Sequence, residues 1–208
     1  RDGETWIGTA GVIERLEDNS ARPARIRLPV RDPVRLIYQD EVGRVWIGTD
    51  KYGLYIANTV TGGVTRWYPP HGDFTGGAWS MFRDRTGQLW IGTWDAEYAF
   101  RYNGGKGTVV RYGWGSQADV PLAFSSIRAF REDAAGTLWL GTWGGGIYQL
   151  DSLYRPVQHF TESDGLASDY VKSMEIDGRG RFWIGTERGL SLFDPATKIF
   201  QTYTQGDG

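Results

Sequence analysis

One short phrase occurs five times in the chain and limits its possible folds more than any other feature. The phrase centres on a tryptophan followed by an aliphatic residue, a glycine and a threonine, as in "DRTGQLWIGTW" over residues 84–94. Its tryptophans, spaced by 40 to 49 residues, are Trp6, Trp46, Trp90, Trp139 and Trp183. A glycine precedes each by three positions, and in the last four copies these are Gly43, Gly87, Gly136 and Gly180. A period of this length predicts propeller blades or a solenoid.

The last copy indicates what each repeat builds. Four short strand patterns follow one another there, at residues 171–176, 181–186, 189–193 and 199–204. The segments between them are turns, in which Gly180 can adopt positive φ and Pro195 presets φ. No stretch of the chain keeps a helical period for three turns, so a helical solenoid is disfavoured. The predicted fold is therefore all-β, a β-propeller of four-stranded antiparallel blades.

These repeats predict one propeller domain over residues 1–208. We expect a partial blade at 1–32, which lacks its first strand, and four further blades at about 33–72, 73–120, 121–165 and 166–208. No later segment supplies the missing first strand. The chain is therefore expected to be an arc of a longer propeller, with a small five-bladed ring as the alternative. An open arc would expose blade faces and favour self-association.

The five tryptophans are predicted to be structural. One blade is too small to bury its own faces and becomes stable by stacking on its neighbours. Burying an indole between blades removes about 150–250 Å² from water, or roughly 4–6 kcal/mol as an upper bound. The glycine after the tryptophan suits close approach by a neighbouring backbone. The repeated aspartates, Asp40, Asp84, Asp133 and Asp177, are predicted to form turns rather than to act in catalysis.

Composition excludes several classes of function. There is no cysteine, so disulfides and thiolate metal sites are excluded. The formal net charge of −2 gives no broad electrostatic case for binding nucleic acid or an anionic membrane. The two histidines are far apart in the sequence and argue against a zinc site; His159 is interpreted as a strand-face residue. We predict neither a metal nor a cofactor.

Three long segments resemble the two-component regulator propeller repeat. They are "VRLIYQDEVGRVWIGTDKYGLYIANTVTGGVTRWY", "SIRAFREDAAGTLWLGTWGGGIYQLD" and "YVKSMEIDGRGRFWIGTERGLSLFDPATKIFQTYTQGDG". The family pattern is Asp-x-x-Gly-x-x-Trp-Ile-Gly-Thr, followed by Gly-Gly-Leu and an aromatic-containing strand. The third copy departs from it with "WDAEYAF" where Gly-Gly-Leu is expected, and the first copy has the short loop "AGVI".

The resemblance implies an extracytoplasmic sensor domain. Such propellers belong to hybrid two-component or diguanylate cyclase receptors of bacteria, where they usually precede a membrane helix. The family typically has seven blades per ring. It implies that the protein is periplasmic, senses a small molecule such as an oligosaccharide, dimerises, and meets the membrane only through segments absent from this sequence.

The ligand is expected at the face where second-to-third-strand loops and between-blade loops gather. Candidate contacts in the second-to-third loops are Lys51, Tyr52, Trp94, Asp95, Trp143 and Arg188. Candidates in the between-blade loops are Asp73, Trp114 and Tyr170, and the same loops are expected to contain Phe74 and Trp79. Aromatic faces beside carboxylates suit a sugar. The alternative is that Trp94 and Trp143 only cap the blade ends.

Two other functions stay open at this point. Propellers also carry glycoside hydrolases and lyases, and the fold alone does not decide between them. Hydrolysis needs two carboxylates facing one glycosidic bond, and no spacing in the sequence singles out such a pair. The third possibility is a protein-interaction propeller whose partner is another protein or a second copy of the chain. We favour the non-catalytic sensor.

Overall fold

The structure is a computed structural model of the 208-residue chain. It describes residues 5–16, 24–69, 74, 76–94, 98–113, 118–122, 126–204 and 206. These residues form short β-strands and one 3₁₀ turn, Glu162–Asp164. Contacts divide them into two compact units. One comprises the described residues up to Trp79 together with Trp94, and the other comprises Ser80–Thr93 and the described residues from Tyr98 onward.

The first unit contains two antiparallel sheets, which we call blades 1 and 2. Blade 1 has three strands, β1 (Thr5–Thr9), β2 (Val12–Leu16) and β3 (Ala24–Arg27). Blade 2 has four strands, β4 (Val34–Gln39), β5 (Val45–Thr49), β6 (Tyr52–Ala57) and β7 (Val64–Trp67). Ile13, Val45 and Ile47 belong to one buried apolar cluster, which the two sheets share.

The second unit contains blades 4 and 5 and most of blade 3. Blade 3 is built from β8 (Gly76–Arg83), β9 (Leu89–Trp94), β10 (Tyr98–Asn103) and β11 (Thr108–Gly113), with β12 (Val120–Pro121) parallel to β11. Blade 4 has β13 (Ile127–Glu132), β14 (Leu138–Thr142), β15 (Ile147–Leu150) and β16 (Pro156–Phe160). Blade 5 has β17 (Val171–Ile176), β18 (Phe182–Thr186), β19 (Leu190–Asp194) and β20 (Ile199–Tyr203). The all-β fold class and its four-stranded antiparallel blades are confirmed.

The repeated aspartate forms the turn between the first two strands of a blade and also fixes the tryptophan. In blade 3 one carboxylate oxygen of Asp84 accepts hydrogen bonds from the backbone N–H groups of Thr86 and Gln88. The other accepts the indole N–H of Trp90 at 2.9 Å. Gly87 adopts φ +85° to close the turn. The aspartate is structural, as predicted, and the six-residue spacing places its carboxylate within reach of the indole.

The same link occurs in blades 2 and 4 and changes in blade 5. The indole N–H groups of Trp46 and Trp139 donate to Asp40 and Asp133, each at 3.0 Å. In blade 5 the corresponding oxygen of Asp177 accepts a hydrogen bond from Arg181 instead. In blade 2 the Arg44 side chain donates to the same Asp40 oxygen as the indole, so the aspartate accepts an arginine in both blades.

Three of the repeated tryptophans are buried in the core. Trp46 and Trp139 are 1% exposed and Trp90 is fully buried. The Trp139 ring lies 5.0 Å from the ring of Phe182 in blade 5, so an indole of one blade packs on the next blade as predicted. Trp6 and Trp183 are only partly buried, which is a weaker packing role than expected. Among the described residues no strand follows blade 5, and the Trp183 ring stacks on Tyr203.

The glycine after the tryptophan lies against the first strand of the following blade. A Cβ at Gly92 would come within 2.1 Å of the carbonyl oxygen of Ile127, and one at Gly48 within 2.2 Å of that of Ala78. No side chain fits at either distance, so the predicted close approach is confirmed. The threonine that follows has its own role: the Thr142 hydroxyl donates to the carbonyl of Gly146 and pins the second-to-third loop.

Replacing Asp84 with asparagine is expected to lower the free energy of unfolding by about 1–3 kcal/mol at neutral pH. The amide has one acceptor oxygen where the carboxylate has two, so either the buried indole N–H or the turn N–H groups lose their acceptor. Burial alone would raise the pKa of Asp84, but hydrogen bonds from Thr86, Trp90 and Gln88 outweigh it and lower that pKa. Because the pKa of Asp84 is lower in the folded than in the unfolded chain, its ionised carboxylate stabilises the fold at pH values above the ordinary carboxyl pKa. This contribution is lost as the pH falls below about 4.

Urea unfolding between neutral and acid pH tests this. The wild-type protein should lose stability on acidification, and the Asp84→Asn variant should lose less because it lacks that titrating group. Equal acid sensitivity of the two proteins would contradict the assignment.

Candidate functional site

Two positions of the repeat lie at the end of the blade that carries the second-to-third loop, and their side chains are in contact in blades 2 to 4. One is the residue that follows the motif threonine, and the other is the first-strand residue eleven positions before the motif tryptophan. We call them the loop-side pair. Its members in blades 2 to 5 are Arg35 and Asp50, Trp79 and Trp94, Arg128 and Trp143, and Lys172 and Glu187.

A β-bulge creates the first-strand member of the pair. In blade 4, Ile127 faces Thr142 and Ala129 faces Gly141, which leaves Arg128 as the extra residue. The same shift leaves Arg35 extra in blade 2 and Lys172 extra in blade 5. Bulges re-aim a side chain and are frequent beside functional sites. The fold therefore singles out this position in three blades.

In the first unit the loop-side pairs of blades 2 and 3 contact each other. The Arg35 side chain forms an ion pair with Asp50, with a nitrogen–oxygen distance of 2.7 Å. Its guanidinium also lies 4.9 Å from the ring centroid of Trp79. The Trp79 and Trp94 rings are 5.3 Å apart with an interplanar angle of 32°. Arg35 is thus neutralised by Asp50 and packed on an aromatic pair.

In the second unit the pair of blade 4 extends onto blade 5. The Arg128 guanidinium lies 4.8 Å from the ring centroid of Trp143, and the ring of Tyr170 meets Trp143 edge-on at 5.2 Å. Trp143 and Tyr170 also form an antiparallel bridge between loops of successive blades. Trp143 is partly buried and Tyr170 is 42% exposed. We call Arg128, Trp143 and Tyr170 the recognition stack.

Charged groups beside Tyr170 are held by one another and by the backbone. The backbone N–H of Glu162 donates to Asp169 at 2.7 Å, and the backbone N–H of Asp169 donates to Glu162 at 3.1 Å. Arg188 forms an ion pair with Glu162. The backbone hydrogen bond from Asp169, with the Arg188 guanidinium adding to it, holds the pKa of Glu162 below its ordinary value. The Glu162 carboxylate is therefore ionised at neutral pH, and hydrogen bonds hold both carboxylates in place.

The structure brings together some of the sequence-predicted ligand residues. Trp143 and Tyr170 are in contact. Arg188 forms an ion pair with Glu162, whose backbone N–H donates to Asp169, the residue before Tyr170. Trp94 lies in the first unit on Trp79. Three candidates lie outside the described residues: Asp73, Asp95 and Trp114.

The remaining two candidates lie in the blade 2 loop. Lys51 and Tyr52 are exposed, and their backbone N–H groups donate to the side chains of Asp32 and Thr49. Within the described part of the chain, neither side chain forms a ring contact or an ion pair. They remain predictions for the site.

Sequence reasoning placed one aromatic residue in the wrong element, did not foresee the burial of another and missed two cations. Trp79 lies in strand β8 rather than in a loop, and Phe74 is 1% exposed and packs on the core residue Trp67. Arg35 and Arg128 were not singled out, because a strict alternation of strand residues gives no reason to choose them. Their shared distance from the motif tryptophan was the signal that could have found them.

Several groups that could act in catalysis have structural roles in the described part of the chain. The repeated aspartates bind turn N–H groups, and the His159 ring stacks on Tyr148 with a centroid distance of 4.1 Å. Within the described ranges, no group of three or more His, Asp or Glu side chains could hold a metal ion. No helix in those ranges is long and apolar enough to cross a membrane.

A separate cleft lies at the other end of blade 2. It has a volume of about 570 Å³ and lies between the turn after β4 and the turn after β6. Val42 and Val60, which are 75% and 92% exposed, stand among its lining residues. None of the predicted ligand residues lines it.

Comparisons with known proteins agree with this architecture. The family model described as "Two component regulator propeller" matches residues 29–51, 74–95, 121–144 and 165–188. The sequence has no match among curated proteins. Many solved structures share the fold, among them a receptor domain and an enzyme.

One is a structure described as the extracellular domain of a hybrid two component system from B. thetaiotaomicron. It has a TM-score of 0.82 and 23% identity, and the alignment covers 100% of this chain and 28% of that one. The other is virginiamycin B lyase from Staphylococcus aureus, with a TM-score of 0.71, 13% identity, and coverage of 98% and 67%. At these identities the likeness establishes the fold alone.

A surface protein has the same fold. PorZ, a component of the type-IX secretion system of Porphyromonas gingivalis, matches with a TM-score of 0.68 and 16% identity, over 99% of this chain and 33% of that one. The four matched segments coincide with the four complete copies of the phrase, and the aspartate turn recurs in each of them. The chain contains four repeats of the two component regulator propeller family.

Proposed function

We propose that this chain is part of a non-catalytic sensor propeller in a bacterial signal-transduction receptor, where it binds a small extracytoplasmic molecule such as an oligosaccharide. The family assignment supports a place in signal transduction. The likeness to an extracellular domain supports a periplasmic location, although this chain spans only 28% of that protein.

The observation that carries the binding role is the recognition stack. Trp143 and Tyr170 come from loops of two successive blades and meet at 5.2 Å. An aromatic face beside fixed hydrogen-bond acceptors suits a sugar, whose C–H groups pack on the ring while its hydroxyls donate to carboxylates. Glu162 and Asp169 supply such acceptors close to Tyr170 in the chain.

The hydrogen bonds and the ion pair that hold the carboxylates of Glu162 and Asp169 favour a binding role over a catalytic one. A glycoside hydrolase needs one carboxyl as general acid and a second as nucleophile or base, about 5–10 Å apart across the bond. A general acid needs a raised pKa, whereas the pKa of Glu162 is lowered by the backbone N–H of Asp169 and by Arg188. A carboxylate that is ionised and held by hydrogen bonds suits a fixed acceptor for ligand hydroxyls.

Calorimetric titration with a panel of oligosaccharides tests the proposal. We expect at least one to bind, and Trp143→Ala to weaken that binding by at least about tenfold, or about 1.4 kcal/mol. Trp183→Ala is the matched control, since Trp183 lies outside the recognition stack and should leave affinity unchanged. Mass spectrometry of the incubated sugars checks for turnover. Cleavage of a bound sugar would overturn the sensor assignment in favour of a hydrolase or lyase.

A further inference from the structure

We propose that the cleft of blade 2 is a second ligand site, and that it binds a small phenolic molecule. The ring of this molecule would lie on blade 2 as the Tyr154 ring lies on blade 3. The site is separate from the one proposed for sugars, because no residue of the recognition stack lines the cleft. Blades 2 and 3 repeat the same frame, so a group that one blade binds indicates what the other can bind.

Blade 3 binds a phenol ring that belongs to the protein itself. Tyr154, from the turn between β15 and β16, has its ring 5.4 Å from the Trp90 ring and 4.3 Å from the Arg101 guanidinium carbon. Its hydroxyl lies 2.9 Å from the Thr86 hydroxyl and accepts a hydrogen bond from the Gln88 amide at 3.0 Å. An aromatic ring with one polar end is therefore held against the sheet and the turn after β8.

The turn that lines the cleft of blade 2 holds the same repeat positions. Val42 and Arg44 lie four and two residues before the motif tryptophan, and both line the cleft. In blade 3 these positions hold Thr86 and Gln88, the two residues that contact the Tyr154 hydroxyl. The polar end of a ligand ring is therefore expected at the turn after β4.

The strand residues of the cleft correspond as well. Ile56 pairs with Trp46 in blade 2, and Arg101 pairs with Trp90 in blade 3. Ile56 lines the cleft, whereas Arg101 lies against the Tyr154 ring. The part of the blade that contacts a phenol ring in blade 3 is thus an open cleft of about 570 Å³ in blade 2. Sites for small molecules commonly have this size.

The backbone of Tyr154 shows that its side chain fits blade 3 well. Tyr154 has φ +61°, a left-handed conformation that is unfavourable for a residue with a side chain. The turns between the third and fourth strands of blades 2 and 3 have Gly62 and Gly107 in that conformation, at φ +73° and +64°. The contacts of the tyrosine ring and hydroxyl must offset the strain, so this part of a blade suits a phenol.

The chemistry of the blade 2 cleft favours a neutral phenol. Val42 and Val60 are exposed, so a ring that covers them removes apolar surface from water. Arg44 donates its Nε–H to Asp40 at 2.7 Å and lies over the Trp46 ring, and half of its side chain is exposed. Its guanidinium has further N–H donors that match a phenol oxygen. Because Asp40 neutralises Arg44, the cleft favours a phenol over a carboxylate.

NMR titration of the full chain with p-cresol, the tyrosine side chain as a free molecule, tests the site. We expect p-cresol to bind at least about threefold more tightly than toluene, which lacks the hydroxyl. Thr65→Trp, which adds an indole from an exposed strand position of the cleft, should weaken p-cresol binding at least about tenfold. Thr108→Trp is the matched control, because Thr108 is an exposed strand threonine outside the cleft. Thermal unfolding verifies that each variant is folded.

Val42→Thr tests the position of the ligand hydroxyl. This variant gives blade 2 the hydroxyl that Thr86 has in blade 3, so p-cresol should bind at least about threefold more tightly and toluene should be unaffected. The inference is wrong if p-cresol does not bind or binds no better than toluene. It is also wrong if Thr65→Trp keeps full affinity or if Val42→Thr brings no gain. Sugar binding would stand in each case, because Trp143→Ala tests it separately.

Discussion

Truncating Trp90 to alanine is expected to lower the free energy of unfolding by about 3–5 kcal/mol, close to the whole stability of many single domains. Trp90 is fully buried, and its ring lies 4.9 Å from Tyr112 and 5.9 Å from Phe130. Tyr112 belongs to blade 3 and Phe130 to blade 4, so the cavity would open at the contact between two blades. The hydrogen bond that the Trp90 indole N–H donates to Asp84 would be lost as well.

Urea unfolding followed by circular dichroism measures this effect, with Trp183→Ala as the matched control. Trp183 holds the same repeat position but is only partly buried, and its blade's aspartate bonds to Arg181. We expect a cost well below that of Trp90→Ala, because less apolar surface is lost. Equal costs at the two positions would show that blade packing does not depend on the buried indole.

Adding one methyl group at Gly92 is expected to destabilise the protein by about 1–3 kcal/mol or more. An alanine Cβ there would lie 2.1 Å from both the carbonyl oxygen of Ile127 and the hydroxyl of Ser80. Neither neighbour can withdraw cheaply, since Ile127 is fully buried and the Ser80 hydroxyl donates to the same carbonyl at 2.9 Å. Blades 3 and 4 would have to separate locally to accept it.

Gly178→Ala is the control for this prediction. Gly178 lies in the turn of blade 5 with no atom within 4 Å of its added Cβ, and its φ is not in the left-handed region. Chemical unfolding should therefore give an unchanged or slightly raised stability for Gly178→Ala, because alanine restricts the unfolded chain. A stable Gly92→Ala variant would disprove the close approach of the two blades.

The local chemistry of the repeat explains why so much of the fold could be predicted. A turn depends on a few adjacent residues, such as Asp177, Gly180 and Arg181, and strand alternation depends on neighbours two positions apart. The predicted strand at 171–176 is therefore found as β17, Val171–Ile176. The interblade role of Trp90 also followed, because an isolated blade cannot bury that ring.

The candidate site was predicted only in part. Trp143 and Tyr170 were chosen because they lie in loops that gather at the predicted ligand face, and they meet. Phe74 was chosen on the same grounds, yet it is buried against Trp67. The position of a residue in a loop predicts that it lies near the ligand face. It does not predict whether its side chain is buried in the core.

The sequence by itself determined the blade: its turns, its strands, its buried tryptophan and the glycine that admits a neighbour. These depend on contacts within a few residues or on a repeated need to exclude water. Only the tertiary structure decided which residues form the recognition stack. A bulge at Arg128 shifts the register of β13 by one residue, and Tyr170 reaches Trp143 from the following blade. Strand register and the packing between blades depend on many pairings of residues that are distant in the sequence. They could therefore not be predicted from neighbouring residues alone.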